Sequence, residues 1–208
     1  MKKITKKILS ISLLILLGSV GRIFFVEFVK IPNFEIVSSL ALLSGFYLGG
    51  IFSFITPLAI IFLSDLFIGN SAILLFTWSA FGIIGLLGII LRKTAWKEGN
   101  SFPQGRSFPP SSSFVLQAPI FGVLASCFFF IYTNFGWWVL SGMYPHTLPG
   151  LVACYINGLP FFKTNLLGNL ILVPLVFITF LEIKNLTQFT RSRIFCKIKR
   201  YDFIRQRH

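Results

Sequence analysis

Long apolar runs, rather than alternating polar and apolar positions, set the frame of this chain. The first fills 8–28, broken only by serines, glycines and the charged Arg22 and Glu27. The second, 34–48, ends at Gly49-Gly50, where the backbone can turn tightly. The third, 51–67, carries Pro57 and stops at Gly69-Asn70, and the fourth, 72–91, holds no charged residue. A polar stretch rich in Pro and Ser, 92–113, precedes a fifth run at 114–133, and a sixth lies at 165–181. A helix needs about 20 apolar residues to cross a hydrocarbon core about 30 Å thick. The pattern therefore predicts an all-α membrane protein with six transmembrane helices spread over 8–183. Pro57 is tolerable where neighbouring helices cover the carbonyl it leaves free.

The segment 134–163 is apolar but interrupted by Gly136, Gly142, Pro145, Pro149, Gly158 and Pro160. Charge decides whether it is a seventh span. With six spans, the amino terminus (1–7), the 92–113 loop and the 184–208 tail share one side and hold sixteen of the 19 basic residues. A seventh span would carry the basic tail across, against the bias of Lys and Arg toward the cytoplasm. The expected topology is thus N-in/C-in, with 134–163 an external loop dipping into the interface and Trp137, Trp138, Phe161 and Phe162 as belt residues. The Lys-rich start followed by an apolar core resembles a secretory signal. The apolar run continues to Phe28, so a retained first helix is expected.

Composition supports this frame. The 208 residues are 55% hydrophobic and 12% charged, too greasy for a soluble domain of this size. The formal charge of +13 would ordinarily suggest a nucleic-acid partner, but the basic residues sit in blocks between apolar runs. The partner they imply is the lipid bilayer, not nucleic acid. Cys127, Cys154 and Cys196 are widely spaced and offer neither a disulfide framework nor metal-ligand spacing.

Polar side chains within spans carry the most information, because a charge at the bilayer centre costs about 2.5–3.5 kcal/mol on insertion scales. Arg22, Glu27, Asp65, Asn134, Asn165 and Asn169 all fall in the outer halves of their spans, and Asn33 and Glu35 follow in the first outer loop. Asn165 and Asn169 are four apart and share a helix face. This asymmetry predicts a polar cavity opening outward. Each residue also has a plainer reading: Asp65 solvated near a helix end, Asn165 as a cap, Asn169 as interhelical glue, His146 as a loop residue, and the aromatic pair as an anchor.

Catalytic signatures are absent. There is no GxxxxGK[ST] nucleotide loop, no HExxH, no paired Cys/His pattern and no GxSxG elbow around Ser141. A span with one acid lacks the second carboxylate of aspartyl chemistry. The sequence is read as a non-enzyme without cofactor or metal.

Three stretches together resemble a known family. These are Gly21-Arg22 with Ile31-Pro32-Asn33-Phe34 and the small-residue run Ser39 to Gly45; Ser64-Asp65-Leu66; and Thr133-Asn134-Phe135-Gly136-Trp137-Trp138 with Tyr144 to Leu151 and Leu159-Pro160-Phe161-Phe162. They look like a family of small bacterial six-helix membrane proteins of unknown function. That family is similar to the substrate-binding (S) components of energy-coupling factor transporters. The resemblance implies a multi-pass protein of the bacterial cytoplasmic (inner) membrane that captures a vitamin-like solute or metal ion. It also implies docking on a shared transmembrane subunit with ATPases. Mapped onto this sequence, the pocket positions are Asn33, Asp65, Asn134, Trp137, Trp138, Tyr144, His146, Asn165 and Asn169. The Ala-xxx-Ala docking face of many S components is replaced on the first helix by Gly18 and Gly21. The alternative is a structural or assembly protein of the membrane with no ligand.

Overall fold

The computed structural model describes residues 2–69, 73–99 and 111–205. Six α-helices follow one another: α1 (Lys2–Phe24), α2 (Val37–Tyr47), α3 (Phe52–Ile68), α4 (Leu74–Gly99), α5 (Ser111–Leu140) and α6 (Leu148–Arg205). α1 runs on into a π-helical turn, Phe25–Val29. Four apolar stretches are long enough to cross a membrane: Lys7–Val29, Leu74–Ala95, Gln117–Leu140 and Leu148–Thr187. The other two apolar helices, α2 and α3, have 11 and 17 residues. At 1.5 Å per residue α2 is only about 16 Å long, half a hydrocarbon core.

That shortness has a structural cause. α2 lies in the middle of the bundle and touches all five other helices, and every residue from Val37 to Phe46 is buried. A helix apolar all round belongs in an interior, not against lipid. It starts where Glu35 accepts the backbone N–H groups of Val37 and Ser38, and it stops at Gly49 and Gly50, both at positive φ (62° and 58°). Side chains without glycine's freedom strain in that conformation, so the Gly-Gly pair fixes the reversal into α3.

α4 packs so closely on α2 and α3 that an added methyl at the contact would meet backbone atoms. A Cβ at Gly45 would stand 2.8 Å from Gly88 Cα, and one at Gly88 would stand 3.0 Å from Gly45 Cα. A Cβ at Gly85 would fall on the Ser53 carbonyl oxygen. The backbones of α2, α3 and α4 therefore pack directly on each other, as small residues permit in membrane helices. Pro57 sits in this contact. Lacking an N–H, it leaves the Ser53 carbonyl without its helical donor, and Ser44 Oγ of α2 lies 3.2 Å from that oxygen while also reaching Ala41 O at 2.8 Å. Ser44→Ala is expected to lower stability by about 1–2 kcal/mol by orphaning a buried carbonyl, measurable as a shifted midpoint in detergent unfolding.

Asn33 from the α1–α2 connection, Ile73 before α4, and Met143 and Tyr144 from the α5–α6 connection line one cavity and so share one end of the bundle. The α2–α3 turn lies at the other. Cations cluster at that second end: Lys7 stacks over the Phe52 ring at 4.3 Å, and Lys184 Nζ donates to Tyr47 Oη at 2.6 Å. Apolar side chains on the outside of α1 and α6, such as Ile8, Leu16, Ile171 and Leu175, are exposed as a lipid-facing surface requires.

One sequence expectation changes. The segment 134–163 is not a long loop: α5 continues to Leu140, α6 begins at Leu148, and only 141–147 join them. The glycines and prolines that suggested a loop have other uses. Pro149 sits in the first turn of α6, where its missing N–H costs nothing. Gly136 makes room for the Phe76 ring and Gly158 for the Asn134 amide. The basic tail likewise continues the helix, through Arg205. The predicted 92–113 loop is trimmed by helix at both ends, and 100–110 lie outside the described residues.

Candidate functional site

The end of the bundle away from the α2–α3 turn is roofed by a strap, residues 30–36, between the π-helical turn and α2. Lys30 closes the π-helical turn by donating its N–H to Phe25 O at 3.0 Å, with φ 55°. Asn33 is also left-handed, φ 59°, a conformation Asn tolerates better than most residues. The strap is stitched to α6: Thr164 Oγ1 lies 2.6 Å from Pro32 O, and Asn165 Nδ2 donates to Asn33 O at 3.1 Å. These bonds hold the strap backbone and leave the Asn33 side chain without a hydrogen bond among the described residues.

Behind the strap runs an amide ladder. Asn169 Nδ2 donates to Asn165 Oδ1 at 3.2 Å and to Ser126 Oγ at 2.8 Å, joining α6 to α5. Both asparagines are buried, and Asn169 Oδ1 has no partner among the described residues. Asn165→Ala removes both the strap anchor and an acceptor for Asn169. A loss of about 2–3 kcal/mol is expected, together with faster proteolysis in the 30–36 strap.

A second polar cluster ties α1, α3 and α4. Arg22 forms an ion pair with Asp65 and donates to Ser64 Oγ at 2.6 Å, and Trp78 Nε1 donates to Asp65 Oδ2 at 2.8 Å. Both charged side chains are largely buried, 16% and 7% exposed.

Two cavities open at this end. The first, about 360 Å³, lies beneath the strap and is bounded by Arg22, Lys30, Asn33, Glu35, Thr77 and Asn165. The second, about 420 Å³, lies between α5 and α6 and is bounded by Asn33, Asn134, Trp137, Tyr144, Asn157 and Phe161, with Cys154 behind them. Asn33 borders both. In the second, Tyr144 Oη accepts from Asn157 Nδ2 at 3.0 Å, and Asn134 spends its Nδ2 on Phe130 O at 2.8 Å.

Five of the nine sequence candidates line these spaces: Asn33 and Asn165 the first, and Asn33, Asn134, Trp137 and Tyr144 the second. Asn169 lies one turn deeper as a buried support. Asp65 lines neither cavity; it is held by Arg22 and Trp78. Trp138 and His146 also line neither and instead build the α5–α6 turn. Trp138 Nε1 donates to Pro145 O at 3.0 Å, His146 Nε2 lies 3.2 Å from Trp138 O, and the two rings meet edge to face. Wall residues missing from the expected set include Arg22, Glu35 and Asn157. Arg22 and Glu35 carried a signal, as charges beside the outer span ends. Asn157 carried none, because its segment read as loop.

The described residues form an all-helical bundle with four membrane-length apolar helices and, at one end, two mostly apolar cavities edged with polar groups. Residues 2–190 match the family described as "Family of unknown function (DUF6580)", and the chain belongs to that family. No curated protein and no solved structure matched the chain.

Proposed function

We propose that this chain is the solute-capturing, S-component-like subunit of a small-molecule uptake system in the bacterial cytoplasmic membrane. In this reading the strap end faces outward, the basic end faces the cytoplasm, and all six helices form the membrane domain. The observation that carries it is the pair of cavities meeting at Asn33, beneath a strap pinned by two hydrogen bonds to α6. A scaffold with packing as its only task gains nothing from such spaces. Their volumes fall within the range of small-molecule sites, about 300–1,000 Å³. The chain carries no nucleotide-binding loop, so active uptake in this reading draws energy from a partner such as an energy-coupling transmembrane subunit with ATPases.

The test is capture. The full chain, purified in lipid nanodiscs and incubated with bacterial metabolite extract, is washed, and its bound small molecules are identified by mass spectrometry. One solute enriched near one per chain, and lost in Asn33→Ala, is the expected result. No enrichment over empty nanodiscs overturns the capture reading. A carboxyl-terminal tag reached by impermeant reagents in intact cells overturns the orientation.

A further inference from the structure

We propose that the second cavity takes an uncharged, planar heteroaromatic ring with hydrogen-bond donor and acceptor atoms side by side on one edge. This rests on the capture reading and adds the chemical class of the solute.

Polar atoms and their partners decide the class. Among the described residues no Asp, Glu, Lys, Arg or His lines this cavity. An ion entering it would lose water without meeting a countercharge, which is costly. In the neighbouring cavity Arg22 is paired with Asp65 and Glu35 with the start of α2; Lys30 also lines that cavity but not this one.

The neutral groups of the second cavity are incompletely used. The half-buried Trp137 has no hydrogen bond at its indole N–H among the described residues, although Trp N–H groups usually find a partner when removed from water. Tyr144 Oη accepts from Asn157, which leaves its own proton to give. Asn134 and Asn157 have each committed an amide N–H and keep a carbonyl oxygen unpaired among the described residues. Asn33, exposed like Asn157, brings an amide with no partner among the described residues, both donor and acceptor at the cavity mouth. The unspent set thus contains donors and acceptors, all neutral. Trp137, Tyr144 and Phe161 supply aromatic surface on which a flat ring can stack. A lactam or imide edge, with N–H next to C=O, matches the unspent groups. A saturated chain or a hydrocarbon ring would leave them unpaired.

The probe is quinazoline-2,4-dione, a neutral bicyclic imide, with its 1,3-dimethyl derivative and its 7-carboxylate as comparisons. Binding to the full chain in nanodiscs is read by Trp fluorescence quenching and by thermal shift. The dione is expected to bind, with the dimethyl and carboxylate compounds each about tenfold weaker or worse. Tyr144→Phe keeps the ring but removes the hydroxyl that also accepts from Asn157. Trp137→Phe exchanges the indole for a smaller ring without its N–H. Each should weaken the dione about tenfold, with the unliganded melting temperature of each variant measured alongside to separate lost binding from lost folding. Equal binding of the dimethyl compound overturns the edge assignment, and tighter binding of the carboxylate overturns the uncharged class. If the dione does not bind while the metabolite extract yields a charged or aliphatic solute, the class falls and capture stands. If neither the dione nor any extract component binds, both fall.

Discussion

Gly85→Ala is expected to destabilise the protein by about 3 kcal/mol or more, a large fraction of the roughly 5–15 kcal/mol that holds a typical protein folded. The added methyl would land on the Ser53 carbonyl oxygen and 3.2 Å from Pro57 Cγ. Neither can yield as a flexible side chain can. Ser53 O is backbone, already reached by Ser44, and the proline ring is fixed in α3. Relief requires α4 to move away from α2 and α3 together, opening gaps along their contact. Overpacking a well-filled core costs about 1–3 kcal/mol where side chains adjust, and backbone-on-backbone contact belongs above that range. Gly82→Ala supplies the comparison, because the atoms nearest its methyl belong to the Phe54 ring, a side chain that can shift, rather than to backbone. Denaturation in detergent should rank Gly85→Ala well below Gly82→Ala. Equal stabilities would show that α4 does not ride on the backbones of its neighbours.

The second large effect is expected at the Arg22–Asp65 pair. Removing one partner of a buried ion pair costs about 3–5 kcal/mol, because the remaining charge is stranded, whereas replacing both is often neutral. Asp65→Asn keeps the size of the side chain and an acceptor for Trp78 Nε1, so its cost isolates the charge. With the aspartate only 7% exposed, a loss of about 3 kcal/mol is expected, and a comparable loss for Arg22→Met. The double variant should recover at least half of the summed loss. Additive losses in this double-mutant cycle would mean that the two charges do not stabilise each other. Asp65 lines neither cavity and Arg22 lines the first but not the second, so the double variant, once folded, is expected to retain a solute held in the second cavity.

Much of the helical frame was legible in the sequence, because an apolar run of about twenty residues matches the thickness of a bilayer and little else. The helix interruptions misled. Gly136, Gly158 and Pro149 in 134–163 carry the same local signal as loop residues, yet two of them make room for neighbouring side chains and the third starts a helix. Only the neighbouring chain distinguishes these cases, and a linear reading does not contain it. The site divided along similar lines. Asn33, Asn134, Trp137, Tyr144 and Asn165 were visible as polar or amphipathic groups near one set of helix ends. Asp65 read either as a cavity residue or as a carboxylate solvated near a helix end, but it is held by Arg22, 43 positions earlier in the chain. Pairing across that separation leaves no trace in local spacing. The same holds for the strap, whose two anchors in α6 lie 132 residues away.

The enclosed position of α2 bears on how the chain is made. A segment of 11 residues with three serines, destined to touch five helices, has little means of partitioning into lipid as it leaves the ribosome. Its polar hydroxyls and bare glycine surface find their neighbours only after α4 and α6 have been synthesised. The contacts that bury α2 are complete only when both halves of the chain are present, so a fragment ending before α4 is expected to leave α2 open to proteolysis.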